Sequence, residues 1–207
     1  MLDSLILFID FILANKIIFV SAPVILFVLQ AVGIFYMSKR LEIKNSYFAF
    51  IPFLSEFAFG RISEKYIKRN GKKSAKFSFL LCVSAVIEAV IGIIFFVVSK
   101  LAIEDILANA QNAIENDAEM TIEMFSAVVP VVAVFLIWAT VVLLYKTIYF
   151  VALWRLLKIY NPKNATLLTV FSVIFAFLPE IFIFINRKNQ PVFDETAVPE
   201  TPEYQVI

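Results

Sequence analysis

The sequence has no histidine and a single cysteine, Cys82, among its 207 residues. One cysteine cannot form a disulfide within the chain, and zinc sites built from cysteine and histidine need several such ligands. Catalytic triads that use a histidine base are excluded as well. Ser84, Ser99 or Ser126 could be imagined as a nucleophile with Lys100 as its base, but no motif places a base beside a nucleophile. We therefore expect no metal site, no cofactor, no catalytic residue and no enzymatic activity.

Apolar residues, in contrast, are abundant. They make up 61% of the chain and include 23 phenylalanines, whereas soluble domains are roughly half apolar. A soluble fold of this length could not bury so much apolar surface, but a lipid bilayer accepts it. The composition therefore predicts one membrane domain.

Four apolar runs are long enough to cross a bilayer: residues 17–37, 77–98, 124–145 and 165–185. At about 1.5 Å of rise per residue, each covers roughly the 30 Å hydrocarbon core. The third run continues towards residue 160 with aromatic and basic residues suited to the interface. The sequence thus predicts an all-α integral membrane helical bundle over residues 17–188, with about four transmembrane helices. Pro179 should weaken or kink the fourth, so a re-entrant segment is the alternative there.

Three further segments are too short or too polar to cross. Residues 1–16 are predicted to lie in the interface, and Asp3 stands where a signal peptide would carry positive charge, so this segment should be retained. Residues 47–60 contain Pro52 and Glu56 and fit an interfacial or re-entrant apolar element. Residues 189–207 are rich in proline and acidic side chains, which predicts a disordered tail.

The charged residues are segregated along the chain. Residues 38–76 hold ten basic and three acidic side chains, whereas residues 100–123 hold one basic and six acidic ones. The positive-inside rule predicts that residues 38–76 are cytoplasmic and residues 100–123 extracytoplasmic. Ile103, Leu107, Ala110 and Ile114 recur at helical spacing in the acidic stretch, which predicts a short amphipathic helix that continues the second span or lies on the outer rim.

The fourth span conflicts with this orientation. Three crossings return the chain to the cytoplasmic side near Arg155, Lys158 and Lys163. A full fourth crossing would place Arg187 and Lys188 outside, whereas a segment broken at Pro179 would return them to the cytoplasm. Length favours crossing, and charge favours return.

The two halves share a weak pattern. In each, a span is followed by basic residues, by Lys-Asn (Lys44-Asn45 and Lys163-Asn164) and by an apolar element that contains a proline and a glutamate. An internal repeat and chance similarity between apolar sequences both account for this pattern.

The segments "KRLEIKNSYFAFIPFLSEFAFGRISEKY" and "LWRLLKIYNPKNATLLTVFSVIFAFLPEIFIFINRK" carry a family resemblance. Their Ile51-Pro52, Gly60-x-Ile62 and Pro162 to Ala165 motifs resemble those of an uncharacterised polytopic membrane protein family of low-GC Gram-positive bacteria. An asparagine often stands in that family near the position of Ser55, so the match departs there. The resemblance implies a similar architecture and a bacterial cytoplasmic membrane, and it transfers no functional residue.

Polar side chains inside apolar segments are the candidate site residues. Glu88 lies in the middle of the second span, where a charge is costly and should pair, for example with Gln30 or Thr140. Glu56 and Glu180 each adjoin a proline-broken segment, an arrangement that transporters use to bind cations. Each glutamate also has a structural interpretation, as a protonated, hydrogen-bonded or interfacial side chain.

The basic stretch suggests a second kind of site. It is a candidate for contact with anionic lipid headgroups or, alternatively, only a determinant of topology. The candidate lipid contacts are Arg61, Lys65, Lys68, Arg69, Lys72 and Lys73. Nucleic acid is not an expected partner because no folded recognition module is evident.

The expected partners are membrane lipids and either a second copy of the chain or another membrane protein. The preferred function is that of a non-enzymatic membrane partner, scaffold or regulatory protein. A small transporter, or transporter subunit, that uses the intramembrane carboxylates is the alternative.

Overall fold

The computed structural model describes residues 16–69, 76–115 and 128–192. Within these ranges the chain forms helices and turns and no strand. Three helices are long and apolar enough to cross a membrane, namely Ser21–Arg40, Phe77–Ala108 and Val129–Tyr160, and Ala165–Ile174 is a shorter apolar helix. The predicted all-helical membrane bundle is thereby confirmed, and the chain is a membrane protein. The predicted interfacial segment 1–16 and acidic tail 189–207 lie almost wholly outside the described residues.

Six α-helices and one 3₁₀ helix follow one another along the chain. They are α1 (Lys16–Arg40), the 3₁₀ helix (Ser46–Phe50), α2 (Leu54–Arg69), α3 (Phe77–Glu115), α4 (Val128–Tyr160), α5 (Ala165–Ile174) and α6 (Leu178–Asn186). Helix α3 continues well past residue 98, so the predicted amphipathic helix is an extension of the second span. Helix α4 likewise continues to Tyr160.

The chain divides into two compact units. The first contains residues up to Phe79 and from Phe150 onwards, and within it α1 packs against α6, the 3₁₀ helix and α2. Its core consists of side chains that are almost fully buried, from Ile34, Met37, Phe59, Ile62, Leu153, Leu156, Tyr160 and Ile183. This unit holds both proline-broken segments.

The second unit, Leu80–Tyr149, consists of the remaining parts of α3 and α4. Phe95 stacks on Trp138 with ring centroids 5.2 Å apart, and Phe95 also contacts Phe135. Gly92 lies beneath the Trp138 indole. A Cβ added at this glycine would be 3.3 Å from Trp138 Nε1. Most other apolar side chains of this unit are exposed, as lipid-facing side chains of a membrane protein are.

The fourth predicted span is two helices instead of one. Helix α5 has 10 residues and α6 has 9, so each is about 15 Å long or less and is too short to cross. Proline at position 179 lacks an N–H, and in a continuous helix its ring would clash with the carbonyl of residue 175, so the helix breaks and Pro179 lies in the first turn of the next one. The single helix predicted over 165–185 is therefore incorrect, because two helices stand there, and the break lies at the proline that was predicted to weaken or kink the run.

The two ends of this broken segment lie together. Asn161, which precedes α5, donates from Nδ2 to Oδ1 of Asn186 at the end of α6, over 3.1 Å. Asn189 Nδ2 donates to the carbonyl oxygen of Tyr160 over 3.0 Å. The backbone N–H of Val192 donates to Ile159 O over 2.7 Å. Residues 165–186 thus form a hairpin that returns to its starting point, and we call it the α5–α6 hairpin.

The apolar element predicted at 47–60 is also broken. It comprises the 3₁₀ helix, a turn at residues 51–53 and the first turns of α2. Phe53 adopts a left-handed backbone conformation with φ of 63°, which is unusual for a bulky residue. This sharp turn after Pro52 starts α2 at Leu54 and brings Glu56 into its first turn.

Candidate functional site

Gln30 and Glu56 form a buried polar pair. Gln30 lies on α1 within the candidate span and Glu56 lies in the first turn of α2. Gln30 Nε2 donates to Glu56 Oε1 over 3.4 Å, and the two residues are only 7% and 8% exposed. Burying a carboxyl group in an apolar segment is costly, so this amide contact offsets part of the cost.

Glu180 lies at the same height along α1 as Gln30. Gly33 of α1 packs against Ile183 of α6, and further on Arg40 Nη1 donates to the carbonyl oxygen of Asn189, so the two helices run in the same direction. Gln30 and Glu180 each precede this contact by three residues, about 4.5 Å of helical rise. Residues three apart share a helix face, which places Glu180 on the face of α6 that packs on α1.

Both carboxyl groups occupy equivalent local positions. Glu56 follows Pro52 by four residues and lies in the first turn of α2, and Glu180 follows Pro179 directly and lies in the first turn of α6. The Oε2 atoms of both glutamates are buried. A helix N-terminus carries a partial positive charge that stabilises a carboxylate in the first turn. The two broken segments thus deliver acidic groups to the level of one amide on α1, and we call Gln30, Glu56 and Glu180 the polar site.

The polar site suits a proton or a small monovalent cation. Carboxylate and amide oxygens are hard ligands for such ions. Within the described residues, no group of three or more acidic, histidine or cysteine side chains could hold a metal ion. The site therefore combines two acidic groups with one amide and has no larger cluster of ligands around it in the described part of the chain.

Glu88 was predicted to pair, for example with Gln30 or Thr140. It lies on α3 in the second compact unit and is half-buried. Gln30 donates to Glu56, and Thr140 Oγ1 donates to the carbonyl oxygen of Leu136 over 2.8 Å. Residue 140 bonds its own helix because a threonine hydroxyl reaches the carbonyl four residues back.

Lys146 is one of the basic residues predicted for the interface but was not named as a candidate site residue, and it lies in the same compact unit as Glu88. Its Nζ lies over the rings of Tyr145 and Tyr149, 5.5 and 5.4 Å from their centroids. Such cation–π contacts help to offset the cost of a charge in an apolar environment. In the sequence, the two tyrosines one and three residues from Lys146 could have indicated these contacts.

Basic side chains form a second feature on the exposed face of α2. Arg61, Lys65 and Lys68, three of the predicted lipid contacts, line one groove together with Lys44 and Lys76. Glu42 and Glu64 are its acidic members. We call this set of seven residues the basic groove. Of the other predicted contacts, the side chain of Arg69 and residues Lys72 and Lys73 lie outside the part that the structure describes.

The serine and lysine residues considered for catalysis have other contacts. Ser84 Oγ donates to the carbonyl oxygen of Leu81 over 2.9 Å. Lys100 lies 3.7 Å from Glu104, one helical turn away, and both side chains are largely exposed. Ser126 lies outside the described residues.

Comparison with protein-family models, with curated proteins and with solved structures finds no match to this chain.

Proposed function

We propose that this chain is a small, non-enzymatic transporter or transporter subunit, in which the polar site binds and releases a proton or a small monovalent cation. One observation carries the proposal: the buried contact between Gln30 and Glu56, with Glu180 at the same height on α1. Ionisable groups within membrane segments usually lie on ion or proton pathways. Broken helices that end near the middle of a membrane are the usual source of such ligands in transporters.

The proposed topology has three crossings and two re-entrant elements in a bacterial cytoplasmic membrane. Helix α1 runs inward, α3 outward and α4 inward, which leaves residues 38–76 cytoplasmic and residues 100–123 outside. The α5–α6 hairpin supports this topology because it returns Arg187 and Lys188 to the side where α4 ends. The two re-entrant elements, residues 46–60 and the α5–α6 hairpin, then both enter from the cytoplasmic side. The resemblance to Gram-positive membrane proteins supports the choice of membrane.

The test is an ion flux measurement with the full chain in liposomes. A pH-sensitive dye trapped inside reports proton flux, and radioactive sodium reports cation flux. We expect flux above that of empty liposomes in the unsubstituted protein, and a loss of that flux in Glu56→Gln and in Gln30→Ala. Glu104→Gln is the matched control, because it removes an exposed carboxylate on α3.

The flux of each variant is divided by its amount of folded protein, which is measured by thermal unfolding in detergent. Flux that survives in both Glu56→Gln and Glu180→Gln would contradict the proposal. The same is true if the unsubstituted protein moves neither protons nor sodium.

A second candidate function, that of a membrane scaffold that binds another copy of itself, rests on the outer part of α3. This helix of 39 residues is about 58 Å long, well beyond the hydrocarbon core. On its extension, Ile103 and Leu107 share a face and are 57% and 58% exposed. Apolar side chains that leave the membrane in this way favour a protein contact.

The scaffold proposal is tested by the oligomeric state in detergent, measured by light scattering. Ile103→Ser together with Leu107→Ser should shift an oligomer to the monomer, whereas Asp105→Ser on the same turn should not. An unchanged distribution in the double variant contradicts self-association through this face.

A further inference from the structure

The basic groove lies where α2 meets the start of α3. Two adjoining cavities of about 180 Å³ and 480 Å³ share Arg61, Glu64 and Lys68 as lining residues. The first continues to Lys44 and Lys65, and the second to Lys76. Five basic side chains thus face two acidic ones, so the groove attracts an anion.

The floor of the groove is rigidly built. Gly60 of α2 packs so tightly on Ser78 that an added Cβ would lie 2.4 Å from the Ser78 Cα. Glu64 Oε1 accepts hydrogen bonds from both the backbone N–H and the hydroxyl of Ser78, each over 2.8 Å. Glu64 therefore caps the N-terminus of α3, and this contact holds α2 against the first turn of α3.

This cap also reduces the negative charge that Glu64 presents to a ligand in the groove. The Oε1 atom of Glu64 is directed to Ser78 and the positive end of α3, so part of its negative charge is offset there. Arg61 lies over the Phe57 ring, with Cζ 5.5 Å from the centroid, which orients its guanidinium beside the groove.

One wall of the larger cavity is apolar. Phe57 and Phe79 line it alongside Arg61, Lys68 and Lys76. Phe79 is 61% exposed and is the third residue of a helix that is long and apolar enough to cross the membrane. The groove therefore leads from cationic side chains directly to a surface that faces acyl chains. A soluble phosphate would contact only the basic side chains, whereas a lipid would place its headgroup on these side chains and its acyl chains on the apolar wall.

We propose that the basic groove is a binding site for the phosphate headgroup of an anionic phospholipid, with Arg61, Lys68 and Lys76 at the phosphate and the acyl chains beside Phe57 and Phe79. The ligand class is a phosphodiester lipid that carries net negative charge. The proposal stands apart from the polar site and from any transport function, because no residue of the groove belongs to the polar site.

The experiment is native mass spectrometry of the full chain released from detergent with added lipid. The probes are phosphatidylglycerol and phosphatidylcholine with identical acyl chains. We expect phosphatidylglycerol to bind more tightly, and the variant Arg61→Gln with Lys68→Gln to weaken it by about fivefold for each basic residue removed. The matched control, Lys39→Gln with Lys163→Gln, removes two exposed basic residues outside the groove and should bind as the unsubstituted protein does.

Three results would overturn the proposal. The first is an equal loss of lipid in the groove variant and in the control, which indicates general charge attraction. The second is equal binding of phosphatidylcholine. The third is equal binding of glycerophosphoglycerol, the soluble headgroup, or displacement of the lipid by millimolar inorganic phosphate, which identifies a site for free phosphate. If the double variant does not fold, Lys68→Gln alone decides, since Lys68 is exposed and its loss should still weaken binding about fivefold.

Discussion

A methyl group added to Gly33 tests how closely α1 and α6 must pack. In Gly33→Ala the new Cβ would lie 2.6 Å from Ile183 Cγ2 and 3.0 Å from both the carbonyl carbon and the oxygen of Ile183. Ile183 is fully buried, so its side chain has little room to rotate away. Because two of the three contacts are with backbone, α6 itself must shift.

We expect a loss of about 1 to 3 kcal/mol in the free energy of unfolding, the usual cost of an extra methyl in a packed core. Alanine is the better helix former by roughly 1 kcal/mol, but α1 is already helical in a membrane, which reduces that gain. Small residues are what allow helices to approach closely in membranes, so the loss should dominate.

The assay is unfolding in mixed micelles of increasing sodium dodecyl sulfate, followed by tryptophan fluorescence. Gly92→Ala is the matched control, since its Cβ would meet only the Trp138 side chain, at 3.3 Å; we expect a change below about 1 kcal/mol. Adding Ile183→Ala removes the closest contact, so the double variant should lose less than the sum of the single losses by about 1 kcal/mol. Equal stability of the Gly33 and Gly92 variants, or strict additivity, would refute the packing argument.

Three further predictions concern other elements. Replacing Glu64 by alanine removes the cap on Ser78 and should cost about 1 to 2 kcal/mol, whereas glutamine, which keeps the acceptor, should cost less, as measured by the same unfolding assay. Asn186→Leu leaves the partners of a buried amide unsatisfied and should cost about 1 to 3 kcal/mol, together with faster proteolysis of the α5–α6 hairpin; unchanged proteolysis would contradict a role of Asn186 in holding the two ends of the hairpin together. In a Cys82→Ser background, a cysteine at Gln190 should react with membrane-impermeant thiol reagents only from the cytoplasmic side, and one at Asn112 only from outside; labelling of both from one side contradicts the topology.

The long helices could be predicted from sequence because length and apolar composition decide them almost alone. Helices α1, α3 and α4 contain the runs 17–37, 77–98 and 124–145 or most of them, and only their ends differ. The return of the α5–α6 hairpin could not be decided in this way. Proline at 179 predicts a break, but the direction after the break depends on Asn186 and Asn189 meeting residues that precede α5, and on Gly33 accepting Ile183.

The sequence predicted which residues belong to the polar site, but it did not predict how they are arranged in space. Gln30, Glu56 and Glu180 were each conspicuous as polar groups in apolar segments, but Gln30 was named only as one example of a partner for Glu88, and its contact with Glu56 was not predicted. The rotation of an evenly apolar helix about its axis leaves little trace in the sequence, so the partner of Gln30 could not be chosen. The groove was easier, because Arg61, Lys65 and Lys68 recur at spacings that share one face of a helix.

The packing of α6 on α1 also bears on the order of assembly. The contact between Arg40 and Asn189 joins positions 149 residues apart. At roughly 5 to 20 residues per second of synthesis, α1 leaves the ribosome about 7 to 30 seconds before α6 can reach it. Neither α5 nor α6 is long enough to be inserted as a span, so the hairpin can pack on α1 only after the segments between them have been synthesised. During that interval the face of α1 that carries Gly33 is not yet covered by α6.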